Sequence, residues 1–198
     1  MLESLLMFYR PADGHGLDHS PFNAIVAPRP IGWISSRGPL GDNLAPYSYF
    51  NAVGYKPPQV MFAGDPKHSI GNARESGVFA VNVVEATMLQ AMSDTSAEVP
   101  PGADEFDLAD VSKAECVTIN CPRVAMAPAT LECRVIRVVD LLGQNHMVIG
   151  EVTGIHMRDD CLVGGRFDVT QFHPAARLGY RDYAIIRQVV ALNRPGEG

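Results

Sequence analysis

Three groups of residues carry the chemistry this chain could do. Trp33, Ser35, Pro46, Tyr47 and Ser48 lie in two neighbouring extended stretches, Lys67 precedes Ser69 at a helix start, and His173 and Arg177 sit near the tail. Together they offer an aromatic wall, hydroxyl donors and a cationic clamp, the set a phosphorylated planar cofactor needs. The phosphate end has a physical basis, because unpaired amides at a helix start point at whatever sits there and Lys67 adds charge. Each residue also has a plainer reading. Trp33 could be the core's only indole, Tyr47 and Tyr49 could pack on opposite sheet faces, Ser69 could simply cap the helix, and His173 could be an exposed loop residue. Taken singly, each is more often structural.

Other chemistries find less support. No Walker loop, GxGxxG fingerprint or GxSxG elbow is present, which disfavours a dinucleotide-binding or hydrolase fold of the usual kind. Cys116, Cys121, Cys133 and Cys161 form no CxxC pair, and His15 and His19 lie among Gly14, Gly16 and Pro21, so zinc-ligand spacing is missing. Reduced thiols in a cytoplasm are expected. Net charge is −6 over 198 residues, against the basic footprint of a nucleic-acid binder. Of the 16 basic residues 13 are Arg, the side chain suited to bidentate phosphate or carboxylate recognition. The opening MLESLLMFYRPADGHG lacks the pattern of a signal peptide, and translation could begin at Met7. No apolar run approaches the ~18 residues of a membrane span.

The elements that must position these residues are short. Gly and Pro number 18 and 15, an excess that argues for many turns. Ile25 to Ser36 reads as a strand, Arg37 to Asn43 as its hairpin turn, Leu44 to Tyr55 as a second extended segment and Gln59 to Ala63 as a third, forming an antiparallel start to a sheet. Ser69 to Gly77 reads as a helix with Ser69 as N-cap and Gly77 closing it. Val78 to Val84 is the strongest buried-strand signal, followed by a short helix over Glu85 to Ser93. Asp94 to Asp110 is an acidic loop too long for a simple connector. Thr130 to Leu142 and His146 to Met157 form a hairpin around Gly143-Gln144-Asn145. Gly150 and Gly154, placed on one face of the second strand, suggest bends, bulges or close backbone approach, and a sheet bent this way closes into a barrel. One domain over residues 1–198 is expected.

Five strings sharpen this. APRPIGWISS (Ala27–Ser36), GDNLAPYSYFNAV (Gly41–Val53), KPP (Lys56–Pro58), SIGNARESGVFAVNVV (Ser69–Val84) and PAARLGYRDY (Pro174–Tyr183) resemble the flavin reductase-like, FMN-binding split β-barrel family, and more narrowly its flavoredoxin-type members. The resemblance implies a mainly β fold, a six-stranded Greek-key split barrel with short peripheral helices, forming a homodimer that holds FMN. It also implies that Trp33, Ser35 and the segment with Pro46, Tyr47, Ser48, Asn51 and Ala52 border the flavin, that Lys67 and Ser69 bind its phosphate, and that His173 and Arg177 lie on the ring or nicotinamide side. The implied activity is NAD(P)H-dependent flavin reduction, with hydride passing to FMN N5 and electrons leaving to a small-molecule or protein acceptor. The alternatives are an electron-transfer flavoprotein reduced by a donor protein, or a non-enzymatic binding barrel. The chain departs from the family in reading Lys67-His68-Ser69 and Ser93-Asp94-Thr95-Ser96 where relatives often have Lys-Asp-Thr and Asn-Ala-Thr-Ser.

Overall fold

The dipeptide Tyr47-Ser48 shapes the molecule, as a computed structural model describing residues 6–196 makes plain. The chain runs through α1 (Phe22–Ile25), β1 (Arg29–Pro30), β2 (Gly32–Gly38), β3 (Gly41–Tyr47), β4 (Tyr49–Tyr55), β5 (Pro58–Gly64), α2 (His68–Ser76) and β6 (Val78–Val83). It continues through α3 (Leu89–Asp94), α4 (Glu105–Leu108), β7 (Lys113–Glu115), β8 (Pro122–Val124), β9 (Ala129–Asp140) and β10 (His146–Met157). The tail adds β11 (Leu162–Val163), β12 (Arg166–Phe167), β13 (Ala175–Arg177) and β14 (Tyr183–Ile185).

Seven strands form one sheet in the order β3-β2-β6-β9-β10-β5-β4. The edge strands β3 and β4 are joined through Ser48 alone. A sheet whose two edges are tied by one residue must curl until they meet, which gives a barrel open along one seam. The stretch Leu44 to Tyr55 is therefore two strands, not one, and the sheet has seven strands rather than six. The first segments also do not lie side by side: the β2–β3 and β4–β5 hairpins stand at opposite edges. Ile25 belongs to α1, so the first strand begins later than its apolar run suggests.

Alternation along β2 feeds two cores. Ile34 turns into the barrel with Tyr47, Phe62, Phe79 and Val148, where the rings of Tyr47, Phe62 and Phe79 meet edge to face at centroid separations of 4.9 and 5.0 Å. Trp33 turns outward into a second core with Leu44, Val84, Met92, Phe106 and Ala175, which fastens α3, α4 and the tail to the barrel wall.

The hairpin of β9 and β10 carries the predicted irregularities. Its register skips between Ile149 and Gly150 and between Val152 and Gly154. A Cβ on Gly150 would lie 2.6 Å from the Phe79 ring, and one on Gly154 3.3 Å from the Glu132 carboxylate. The two glycines face opposite ways. Thr153 is an extra residue in β10, and one inserted residue reverses the alternation beyond it.

Candidate functional site

A cleft of about 420 Å³ opens where β3 hands over to β4. Pro46, Tyr47, Ser48 and Tyr49 form one wall, Asp65 to Ser69 the second, and Thr95 to Val99 the third, with Asn43 and Glu105 at the base.

The second wall is the start of α2. Lys67, not Ser69, takes the N-cap position, with extended backbone and no side-chain cap bond. The amides of Ile70 and Gly71 return to the Lys67 carbonyl at 3.1 and 3.2 Å. Among the described residues this leaves the amides of His68 and Ser69 without a backbone acceptor, as expected in a helix's first turn. Gly77 closes the helix in the left-handed conformation at φ 74°, as its type suggests.

Ser69 lies inside the helix and is fully buried. Its hydroxyl donates to Asn43 Oδ1 at 2.6 Å, while Asn43 Nδ2 donates to Glu105 Oε1 at 2.8 Å. The Leu44 amide donates to Glu105 Oε2 at 3.1 Å. With the amide side of Asn43 turned to Glu105, its oxygen must face Ser69, and the one hydroxyl hydrogen of Ser69 is spent there. Towards the cleft Ser69 can offer only lone pairs and its backbone N–H.

Tyr47 supplies the complementary group. Its hydroxyl is buried and has no hydrogen-bond partner among the described residues. Burial pushes the phenol up to about 12, and the nearby Asp65 and Glu105 charges push the same way, so at neutral pH it keeps its proton. Native structures rarely leave a buried donor orphaned, and such a group calls for an occupant. The cleft's donors are thus Tyr47 O–H, the Lys67 ammonium and the two amides, an arrangement that suits a phosphate.

The third wall belongs to the long acidic segment. Thr95 anchors its beginning by accepting from Trp33 Nε1 at 2.9 Å. The other end is pinned by the fully buried Phe106, by Glu105 and by the Asp104 carboxylate, which takes the Lys113 ammonium. The segment too long for a simple connector is thus part of the cleft wall. Its length gave it away as unusual, but nothing local marked Glu105 or Asn43 as partners.

Pro46, Tyr47, Ser48, Lys67 and Ser69 are thereby brought together; the remaining candidates lie elsewhere. Trp33 is fully buried in the outer core, and Ser35, also buried, donates to the Pro122 carbonyl at 2.7 Å. Neither lines the cleft, and the backbone of their strand is paired on both sides with β3 and β6. Asn51 and Ala52 are exposed on β4, with the Ala52 amide bonded to Asn51 Oδ1 at 2.9 Å. His173 has φ 49° and a buried Nδ1 without a partner among the described residues, and its carbonyl accepts from the Ala86 amide at 3.1 Å. Arg177 lies 4.5 Å above the Tyr183 ring and donates to the Tyr180 carbonyl at 2.6 Å. Neither tail residue lines the cleft of this chain. No helix among the described residues is long and apolar enough to cross a membrane, and Met1 to Leu5, part of the opening apolar patch, lie outside them.

Comparison with known proteins places this geometry in context. Residues 26–170 match the family described as flavin reductase like domain. A Deinococcus radiodurans protein is 36% identical over 186 residues, covering 86% of this chain and 82% of its own. Nitrilotriacetate monooxygenase component B from Bacillus cereus superposes with a TM-score of 0.88 at 28% identity, over 94% of this chain and 98% of its own. The 2-nitrobenzoate 2-nitroreductase of Pseudomonas fluorescens gives 0.82 at 30% identity, over 88% and 89%.

Proposed function

The chain belongs to the flavin reductase-like family, and from that premise we propose that it is an FMN-dependent oxidoreductase, taking hydride from NAD(P)H and passing electrons to a second acceptor. The observation that carries the choice of FMN is the donor set that lines one cleft: the buried, unpartnered Tyr47 hydroxyl, Lys67 and the head of α2. A terminal phosphate matches those donors in charge and in hydrogen-bond sense.

Bound there, FMN would supply the hydride transfer at its ring, a chemistry that amino-acid side chains do not carry. The protein's own part is to bind and orient. Lys67 and the His68 and Ser69 amides would hold the phosphate. Pro46 to Tyr49 would border the rest of the group along the seam between β3 and β4. Thr95 to Val99 would exclude water from the opposite side. Glu105 stays engaged with Asn43 and the Leu44 amide, which keeps its carboxylate committed within the protein. Exposed Phe22, Ile25 and Val26 lie next to Tyr49, whose hydroxyl bonds Asn23 Oδ1 at 2.8 Å; this apolar strip supports a homodimer as the working unit.

One observation favours a second reading, an electron-transfer flavoprotein reduced by another protein. The residues expected on the nicotinamide side, His173 and Arg177, are held by Ala86, Tyr180 and Tyr183 and do not reach the cleft of this chain. Anaerobic mixing of the FMN-loaded protein with NADH and NADPH separates the two. Rapid bleaching of the flavin band by either nucleotide supports the reductase; no bleaching, with reduction by dithionite intact, supports the carrier. Failure to bind FMN at all, followed by quenching of flavin fluorescence, overturns both.

A further inference from the structure

Away from the cleft, the hairpin of β7 and β8 brings two thiols together. Its register pairs Lys113 with Val124, Ala114 with Arg123 and Glu115 with Pro122, so the next opposed pair is Cys116 and Cys121. The Cys116 amide donates to the Cys121 carbonyl at 3.0 Å, continuing the ladder by one step. Residues opposed in antiparallel strands have Cα atoms about 4.5–5.5 Å apart, within the roughly 4.4–6.8 Å that a disulfide spans. Opposed residues also share a face, and Cys116 packs against the apolar group of Val78, Ala80, Ile119 and Cys121.

The four residues between them are already fixed. Glu132 accepts from the amides of Val117 and Thr118 at 2.7 and 2.6 Å. Arg37 donates to Asn120 Oδ1 at 2.8 Å, and Arg134 to the Thr118 carbonyl at 3.0 Å. The thiols are therefore held near each other before any cross-link exists. Their access differs: Cys116 is half-buried, whereas Cys121 is fully buried and bonded to the Ser35 carbonyl at 3.3 Å. A second cleft of about 500 Å³, lined by Val117 to Asn120 with Arg37 and Arg134, opens beside this loop.

We propose that Cys116 and Cys121 are a peroxide-sensitive thiol pair that closes into an intramolecular disulfide, with Cys116 meeting the oxidant and Cys121 resolving it. In the first step the Cys116 sulfur attacks hydrogen peroxide; its O–O bond breaks, one oxygen stays on Cys116 as a sulfenic acid and the other leaves as water. In the second step the Cys121 sulfur displaces that hydroxyl, the S–S bond forms, and the Cys121 proton leaves with it as a second water. Two thiols lose two electrons and one peroxide gains them. The Cys116 thiol and burial together push the Cys121 thiol well above its ordinary range, which keeps it protonated and leaves the first attack to Cys116.

The test treats the full chain with a small excess of hydrogen peroxide, then counts thiols in denaturant and maps the tryptic peptide Ala114–Arg123, which holds both residues. Expected are a fall from four free thiols to two, a peptide lighter by two hydrogens that resists alkylation, and full recovery with dithiothreitol. Cys121→Ser should trap the sulfenic acid on Cys116 for dimedone labelling, and Cys116→Ser should leave all its remaining thiols free at the same dose. Four unreacted thiols in the unmodified chain, a mixed product at Cys133 or Cys161, or over-oxidised Cys116 with Cys121 still open to alkylation would each overturn the proposal.

Discussion

Ser69 gives its only hydroxyl hydrogen to Asn43, at 2.6 Å, and so turns away from the cleft that it lines. Lys67, two residues earlier, has no such commitment in its role as a charge. The two residues should therefore respond differently to truncation. Lys67→Ala should weaken FMN binding by about 1.5–3 kcal/mol through loss of a charge-assisted contact. Ser69→Ala should change affinity less than about threefold while lowering stability by about 1 kcal/mol, because the Asn43 oxygen is left without its donor. Titration of FMN against the fluorescence of Trp33, the single tryptophan, measures both variants. Equal losses at the two positions would return the Ser69 hydroxyl to the phosphate.

Tyr47→Phe separates stability from binding. Removing a buried hydroxyl that has no partner should raise the stability of the flavin-free protein by about 1 kcal/mol, since a desolvated donor is destabilising when unmet. The same change should weaken FMN binding by about 1 kcal/mol. The two effects offset each other in the loaded protein, so the variant should melt higher without FMN and level with the parent at saturating FMN, and a variant that melts lower in both conditions would show that the hydroxyl is satisfied.

Glu132 makes part of the stability depend on acid. Burial opposes its charge, but the Thr118 hydroxyl, the Val117 amide, His156 Nε2 at 2.5 Å and the Thr118 amide outweigh this and hold it at about 2, against an ordinary 4.5. Because the folded value is the lower one, the stabilisation is complete above about pH 4.5 and is lost as pH falls through about 2. The shift corresponds to about 3 kcal/mol. Glu132→Gln should lower the urea midpoint at neutral pH and flatten its dependence between these limits. Parallel curves for the two proteins would show that Glu132 has no special part in acid unfolding.

Glycines 71 and 150 make a contrasting pair. A Cβ at Gly150 would stand 2.6 Å from two atoms of the Phe79 ring, deep in the barrel core. Gly150→Ala should cost about 1–3 kcal/mol by overpacking. Gly71 sits within α2 with nothing within 4 Å of the same position, so Gly71→Ala should stabilise by about 0.5–1 kcal/mol. Denaturant unfolding of both variants checks the signs.

Much of this architecture is written locally. The alternation of β9 and β10, the buried run of β6, the Gly77 stop and the glycines that mark bulges are readable because each is a response of a few residues to backbone geometry. Lys67 at a helix start is legible for the same reason. Where these signals stop, they stop for identifiable reasons. Leu44 to Tyr55 is extended throughout, so nothing within it says that Ser48 joins opposite sheet edges. A bulge at Thr153 reverses the face of Gly154, although the spacing from Gly150 is even.

The sequence alone determined a turn-rich β protein and, through its motif strings, a flavin reductase-like barrel with Lys67 at an anion-ready helix start. Tertiary structure decided which polar residues share the cleft. Trp33 and Ile34 are both apolar and both buried, because β2 has a core on each face; alternation then fixes that they point apart but not which of them faces a ligand. Glu105 meets Asn43 across 62 positions, and Thr95 meets Trp33 across the same separation. Contacts of that range depend on how the sheet curls and what packs outside it, and no local pattern of residues encodes them.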